Sequence, residues 1–151
     1  MEEKKLTFSL SLALFCSCSL FVGVVSGHAL SEIQRLKQEG HDIQAAVASR
    51  TDEPAWADVC MKHLCLPDGT TTLYDCFRGF IEIDWNNDKT HHFRRLHQQT
   101  GIPYEQMCFF DNEEWNIQCV SRLGVTCIYT PDGMTRKDWR EALAAHGMTD
   151  W

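Results

Sequence analysis

The sequence has 151 residues, with 14 Lys and Arg against 21 Asp and Glu and a net charge of −7, a length that fits one domain. The charged residues at the start cancel (Glu2, Glu3, Lys4, Lys5), so the negative charge lies behind the N-terminal segment. This acidic balance, without a basic stripe, argues against nucleic-acid binding. With 44% hydrophobic and 23% charged residues, the composition excludes wholesale disorder.

Residues 6–25 carry no charge. A charged start, an apolar run and the small residues Ser26 and Gly27 are typical of a secretory signal peptide. The length also suits a membrane anchor, although five Ser and Thr dilute its hydrophobicity. A third interpretation is a strand or helix of the fold. We divide the chain into this segment (1–27) and a domain (28–151). We expect the protein in the secretory pathway if the segment is a signal peptide and at a membrane only if it is an anchor. Otherwise we expect it in the cytoplasm.

Helix-like and strand-like patterns alternate after His28. Hydrophobic spacing and caps predict helices over residues 28–39, 54–64, 88–99, 114–123 and 135–145. Apolar runs predict strands over residues 43–48, 80–83, 107–110 and 125–129. This alternation predicts an α/β fold with a doubly wound parallel sheet.

Six cysteines follow the N-terminal segment. Three of them lie in apolar surroundings (Cys108, Cys119, Cys127), where a thiol behaves as a small buried hydrophobe. The cluster of Cys60, His63 and Cys65 has zinc-type ligands but no clear fourth ligand nearby, so core packing is favoured over zinc. We predict free thiols, while a disulfide framework in a secreted protein stays open as an alternative.

Polar residues follow three of the predicted strands. Ser49 and Arg50 end the first of these, and a hydroxyl with amides at such a turn suits a phosphate oxygen. Lys89 opens the helix after the next strand and can meet a phosphate as a point charge. Asp111 and Asn112 begin an acidic run after the third strand (111–114) and provide the oxygen ligands that Mg²⁺ prefers. Ligands of doubly wound sheets bind at these strand ends.

Three strings in this order resemble the haloacid dehalogenase superfamily, and most closely its capless magnesium-dependent phosphatase 1 family. They are VASRT (47–51), KTHHFRRLHQQTGIPYEQM (89–107) and FFDNEEWNIQCVSRLGVTCIYTPDGM (109–134). The resemblance implies a Rossmann-like fold and Mg²⁺ as cofactor. It also implies that a monomer hydrolyses a small phosphomonoester, such as a sugar phosphate, or a phosphotyrosine protein. It implies that Ser49 and Arg50 bind phosphate, that Lys89 stabilises transition-state charge, and that Asp111, with Asn112 as a weaker ligand, binds the metal.

Two departures from the family pattern bear on activity. The family's first motif, DxDxT, supplies the aspartate nucleophile, yet no two aspartates of this sequence are two positions apart. Asn112 stands where the family commonly has a second aspartate. We therefore expect a sheet incomplete at the family's first strand, and we predict that the apolar residues 21–25, directly before the first helix, occupy its place. Three hypotheses stay open: a phosphatase whose chain has lost its catalytic strand, a pseudophosphatase that binds phosphate or Mg²⁺, and a secreted, disulfide-stabilised structural protein.

Overall fold

The computed structural model of the protein describes residues 6–10 and 24–148, and these contain one parallel sheet of five strands. The strands are β1 (Leu6–Leu10), β2 (Ile43–Arg50), β3 (Ile81–Asp84), β4 (Met107–Asp111) and β5 (Thr126–Tyr129). Their order is β3-β2-β1-β4-β5, and every neighbouring pair is parallel. The predicted doubly wound α/β fold is confirmed.

Within the described residues, six helices connect or follow the strands: α1 (Val24–Gln38), α2 (Pro54–His63), α3 (Leu73–Phe77), α4 (Lys89–Thr100), α5 (Glu114–Ser121) and α6 (Arg136–Ala145). A short 3₁₀ turn (Tyr104–Gln106) precedes β4. The side chain of Asp88 caps α4, and Gly101 ends it with a φ of 69°, a left-handed conformation that favours glycine. Thr135 and Asp138 form the predicted capping box of α6. A second capping box begins α3, a helix that is absent from the predicted elements.

The central strand lies elsewhere than the sequence predicted. The expectation that residues 21–25 form it is wrong, because α1 already begins at Val24, and Leu6–Leu10 fills the position instead. Leu6 pairs with Ile43 of β2, and Thr7 pairs with Met107 of β4. The physical reason is visible in the sequence LTFSL, where apolar and hydroxyl residues alternate with the period of two that is typical of a strand.

The N-terminal segment therefore contributes backbone to the middle of the sheet. Residues 1–5 and 11–23 lie outside the described part. The second range includes positions 21–23 of the predicted strand. Among the helices that the structure describes, none combines the length and apolar character needed to cross a bilayer. The division at residue 27, the signal peptide and the anchor stay predictions.

Apolar side chains cover both faces of the sheet. Along β2 they alternate, since Ala45 and Val47 pack on one face and Ala46 and Ala48 on the other. The first face is covered mainly from α1, α3 and α6, and the second from α4 and α5. On the second face the rings of Phe93 and Phe109 pack edge to face, with centroids 4.9 Å apart. Two covered faces leave the carboxyl ends of the strands as the accessible edge of the sheet.

The six cysteines of the described part are free thiols. Cys76 and Cys108 are buried, and burial raises the pKa of the Cys76 thiol to about 11. Burial likewise raises the pKa of Cys127 to about 12. These thiols stay protonated at neutral pH and are poor nucleophiles and metal ligands.

Candidate functional site

The register of the sheet brings the predicted site residues to one edge. Leu10, the last residue of β1, pairs with Val47 and with Phe110. The flanking strands continue past this point, β2 as far as Arg50 and β4 as far as Asp111. Ser49, which is fully buried, and Asp111 therefore lie on the two strands that border the end of β1.

Lys89 is a buried cation at this edge. It is the first residue of α4, is 4% exposed, and donates from Nζ to the carbonyl oxygen of Ala48 on β2. Its Nζ also lies 4.0 Å from Oδ2 of Asp111 on β4. Burial lowers the pKa of Lys89 to about 8, although the negative charges of Asp111 and Glu113 oppose the shift. The side chain thus joins two strand ends and keeps its charge at neutral pH.

Asp111 is held in place by donors from the connection that follows it. The carboxylate is 3% exposed, and its Oδ1 accepts the backbone N–H of Glu113 at 2.7 Å. Its Oδ2 accepts from Nδ2 of Asn116 at 3.2 Å, and the same Nδ2 lies 3.1 Å from Oε2 of Glu113. Asn116 is 5% exposed and is not among the residues predicted from the sequence. Its position in the first helical turn after an acidic run was the signal that could have identified it.

Arg50 connects two loops at the rim of the edge. Its guanidinium donates from Nη1 to Oδ1 of Asn87 at 2.6 Å, and Nη2 lies 4.0 Å from Oε1 of Glu113. The Arg50 side chain is 42% exposed, and Asn112 is exposed as well. The structure therefore brings Ser49, Lys89 and Asp111 together in a buried position and leaves Arg50 and Asn112 at the surface.

A buried histidine lies one helical turn beyond Lys89 and was also missed from the sequence. His92 is fully buried, and its Nε2 lies 2.9 Å from Oδ1 of Asp84 at the end of β3. Asp84 also accepts from Nη1 of Arg95 at 3.1 Å. Burial lowers the pKa of His92, against the opposing effect of the Asp84 charge, so the ring is neutral at pH 7. His92 follows Lys89 by three positions on the same helix, and this spacing was the signal that could have identified it.

Comparisons with known proteins decide the family. A family model described as acid phosphatase matches residues 22–148. The chain belongs to the haloacid dehalogenase superfamily, in the magnesium-dependent phosphatase 1 family. Human magnesium-dependent phosphatase 1 is 39% identical over 112 residues, which are 74% of this chain and 57% of the human protein. A haloacid dehalogenase-like hydrolase superfamily protein of Schizosaccharomyces pombe is 35% identical over 99 residues, 64% of this chain and 56% of that protein.

Solved structures support the same fold. The N-terminal part of a Bacteroides fragilis protein, which contains a phosphatase domain complexed with Mg, superimposes with a TM-score of 0.60 at 18% identity. That match covers 98% of this chain and 40% of the other. A haloacid dehalogenase family enzyme of Bacteroides thetaiotaomicron, in complex with magnesium and inorganic phosphate, gives 0.54 at 18% identity over 74% of this chain and 56% of the other. The chain spans slightly more than half the length of the two sequence relatives it matches.

Magnesium is named for the human relative and for the two solved structures. The described residues of this chain supply only part of a site for it. Asp111 offers a carboxylate and Asn112 an amide oxygen, both of the hard type that Mg²⁺ prefers. Both carboxylate oxygens of Asp111, however, already accept hydrogen bonds. No three His, Cys, Asp or Glu side chains of the described part converge on one point. These residues alone do not fit a complete magnesium site, and the assignment of Asp111 and Asn112 stays a prediction.

Proposed function

We propose that this chain binds the phosphate group of phosphomonoesters at the carboxyl edge of the sheet. The observation that carries the proposal is the Lys89 ammonium, 4% exposed and shared between the ends of β2 and β4. A cation removed from water is costly, and a bound phosphate dianion would offset that cost by favouring the charged form. Ser49 would donate its hydroxyl to a phosphate oxygen, and Arg50 would add a second cation at the rim.

Binding without turnover fits the sequence best. Members of the resembled family attack phosphate with an aspartate, and covalent catalysis needs its nucleophile. In this chain the residues after β1, positions 11–23, contain no Asp or Glu, and no pair of aspartates two positions apart occurs anywhere. Loss of the nucleophile removes most of a rate enhancement that starts at about 10⁶-fold. We propose small phosphomonoesters or phosphotyrosine proteins as ligands and a monomer as the binding species.

A magnesium-dependent phosphatase is the second candidate. Human magnesium-dependent phosphatase 1 is 39% identical over the matched residues, and Asp111 and Asn112 offer oxygen ligands at the expected strand end. Under this hypothesis Mg²⁺ would be bound in part by these two residues. It would supply the charge neutralisation and Lewis acidity that phosphoryl transfer requires.

Two measurements on the purified full chain separate the candidates. Calorimetric titration with inorganic phosphate and with vanadate should show binding that Ser49→Ala and Lys89→Met abolish. Lys62→Met, which removes an exposed lysine paired with Asp58, is the matched control and should bind as the parent does. Hydrolysis of p-nitrophenyl phosphate should be absent with and without Mg²⁺. Mg²⁺-dependent hydrolysis that Asp111→Asn removes would overturn binding without turnover and establish the second candidate, and absence of phosphate binding would contradict the proposed function.

A further inference from the structure

Three tryptophans at the carboxyl edge of the sheet are exposed. Trp85 follows β3 directly and is 76% exposed, Trp56 is the third residue of α2 and is 67% exposed, and Trp115 is the second residue of α5 and is 64% exposed. Each belongs to the segment that leaves the carboxyl end of a different strand. Single exposed apolar residues are common, but three tryptophans around one edge indicate a binding surface. We call these three residues the tryptophan rim.

Contacts of Arg50 hold two parts of the rim beside the Lys89 site. Asn87, which accepts a hydrogen bond from Arg50 at 2.6 Å, lies two positions after Trp85. Glu113, whose carboxylate lies 4.0 Å from the Arg50 guanidinium, is two positions before Trp115. The connections that carry these two tryptophans therefore approach the same side chain, next to Ser49 on β2. A ligand whose phosphate reached Lys89 would extend past the rim.

The charge of the rim selects the kind of ligand. The connections that follow β2, β3 and β4 (51–53, 85–88 and 112–113) contain four acidic residues and no Lys, Arg or His; the acids are Asp52, Glu53, Asp88 and Glu113. Asp52 and Glu53 are exposed and form no ion pair within the described residues. Arg50 borders these connections and offsets the charge of Glu113, 4.0 Å away, so the acidic excess at the rim comes mainly from Asp52 and Glu53, whose carboxylates would attract cations beside the phosphate. Tryptophan faces bind the same cations.

We propose that the tryptophan rim docks a Lys- and Arg-rich polypeptide segment that carries the phosphate group into the Lys89 site. The inference rests on the proposed phosphate-binding function and names its ligand class. Cationic side chains on either side of the phosphate would pair with the acidic connections and stack on Trp85 and Trp115. Charge disfavours a second copy of the chain as the occupant, because two acidic rims repel each other.

Calorimetry with three peptides of one length tests the inference. The first has a central phosphotyrosine with two Arg on each side, the second replaces each Arg with Glu, and the third is the Arg peptide without phosphate. We expect the first to bind at least about tenfold more tightly than the second at low salt, and the difference to shrink as salt screens the charges. The unphosphorylated Arg peptide should bind more weakly than its phosphorylated form.

Rim variants show where the peptide docks. Trp85→Ala and Trp115→Ala remove exposed side chains, so the fold should persist, and we expect each to weaken the phosphorylated Arg peptide severalfold while inorganic phosphate binds as before. Tyr74→Ala, an exposed aromatic on α3 that contacts Lys62, is the matched control and should change neither affinity. Asp52→Asn with Glu53→Gln should reduce the preference for Arg over Glu peptides.

Each contrary result has a distinct meaning. Equal affinities for the Arg and Glu peptides, or unchanged binding in both tryptophan variants, would overturn the inference and leave inorganic phosphate binding intact. A dimer in sedimentation that dissociates in Trp85→Ala would assign the rim to a second copy and overturn it as well. Rim-dependent binding of both Arg peptides, without any binding of inorganic phosphate, would support the docking surface and refute the proposed phosphate function.

Discussion

The Nζ atom of Lys89 lies 4.0 Å from Oδ2 of Asp111, and the two side chains are 5% and 2% exposed. This buried pair of opposite charges is separated beyond hydrogen-bonding distance, and each group has hydrogen bonds to other atoms. Burial of two charges is costly, and removal of one partner leaves the other uncompensated. The pair therefore links the stability of the fold to the charge of the candidate site.

A double-mutant cycle measures this link. We expect Lys89→Met and Asp111→Asn each to lower the free energy of unfolding, and the double variant to be destabilised by less than their sum, with a coupling of about 1–3 kcal/mol. Urea unfolding of the four proteins gives the values. Strict additivity would show that the two charges act independently at this distance.

Removal of the Asn116 amide should be costly because it leaves a buried carboxylate with fewer donors. We expect Asn116→Ala to lower the free energy of unfolding by about 1–3 kcal/mol, as measured by urea denaturation. Gln118→Ala on the same helix removes an exposed hydrogen bond to Glu114, and its effect should stay below about 0.5 kcal/mol. Similar small effects for both variants would contradict the supporting role of Asn116.

The pH dependence of stability should depend on His92. Its pKa is lowered in the folded state, so below about pH 6.5, the ordinary pKa of histidine, the unfolded chain binds more protons than the folded one. Stability is then lost as the pH falls through this range. In His92→Gln, unfolding measured between pH 7 and pH 5 should show a smaller loss than in the parent. His91→Gln, an exposed neighbour on α4, should retain the parent slope, and an equal slope in His92→Gln would refute the assignment.

The capping box of α6 offers a test of local stability. The Thr135 hydroxyl accepts from the backbone N–H of Asp138, and the Asp138 carboxylate accepts from Thr135 N at 2.7 Å. We expect Thr135→Ala to cost about 1 kcal/mol, seen as a lower urea midpoint with an unchanged slope. The exposed Lys137→Ala on the same helix serves as the control and should leave the midpoint nearly unchanged.

Magnesium should have little influence on phosphate binding if the described residues act alone. We expect the affinity for inorganic phosphate to be the same in EDTA and in excess Mg²⁺, because Lys89 supplies the charge and both oxygens of Asp111 have protein donors. Calorimetry under both conditions provides the measurement. An affinity that rises with Mg²⁺ in the parent, but not in Asp111→Asn, would instead identify Asp111 as a metal ligand.

The sequence predicted the elements that carry strong local signals. β2 and β4 are apolar runs, and α4 and α6 begin at side-chain caps, so their positions follow from spacing and capping chemistry alone. The central strand was misplaced, because residues 6–25 contain several short apolar runs and only pairing with β2 and β4 selects Leu6–Leu10. Ser49, Lys89 and Asp111 were predicted from their places at strand ends, and their roles stay predictions. Asn116 and His92 were not, since their importance comes from burial, which a single sequence does not specify.

The central position of β1 has a consequence for synthesis. This strand leaves the ribosome well before β4, since Met107, the first residue of β4, follows Leu10 by 97 positions, which corresponds to roughly 5–20 s of translation. Until then one hydrogen-bonding edge of β1 lacks its native neighbour, and such an edge invites pairing with other chains. We therefore expect that a chaperone shelters β1 in the nascent protein until β4 has emerged.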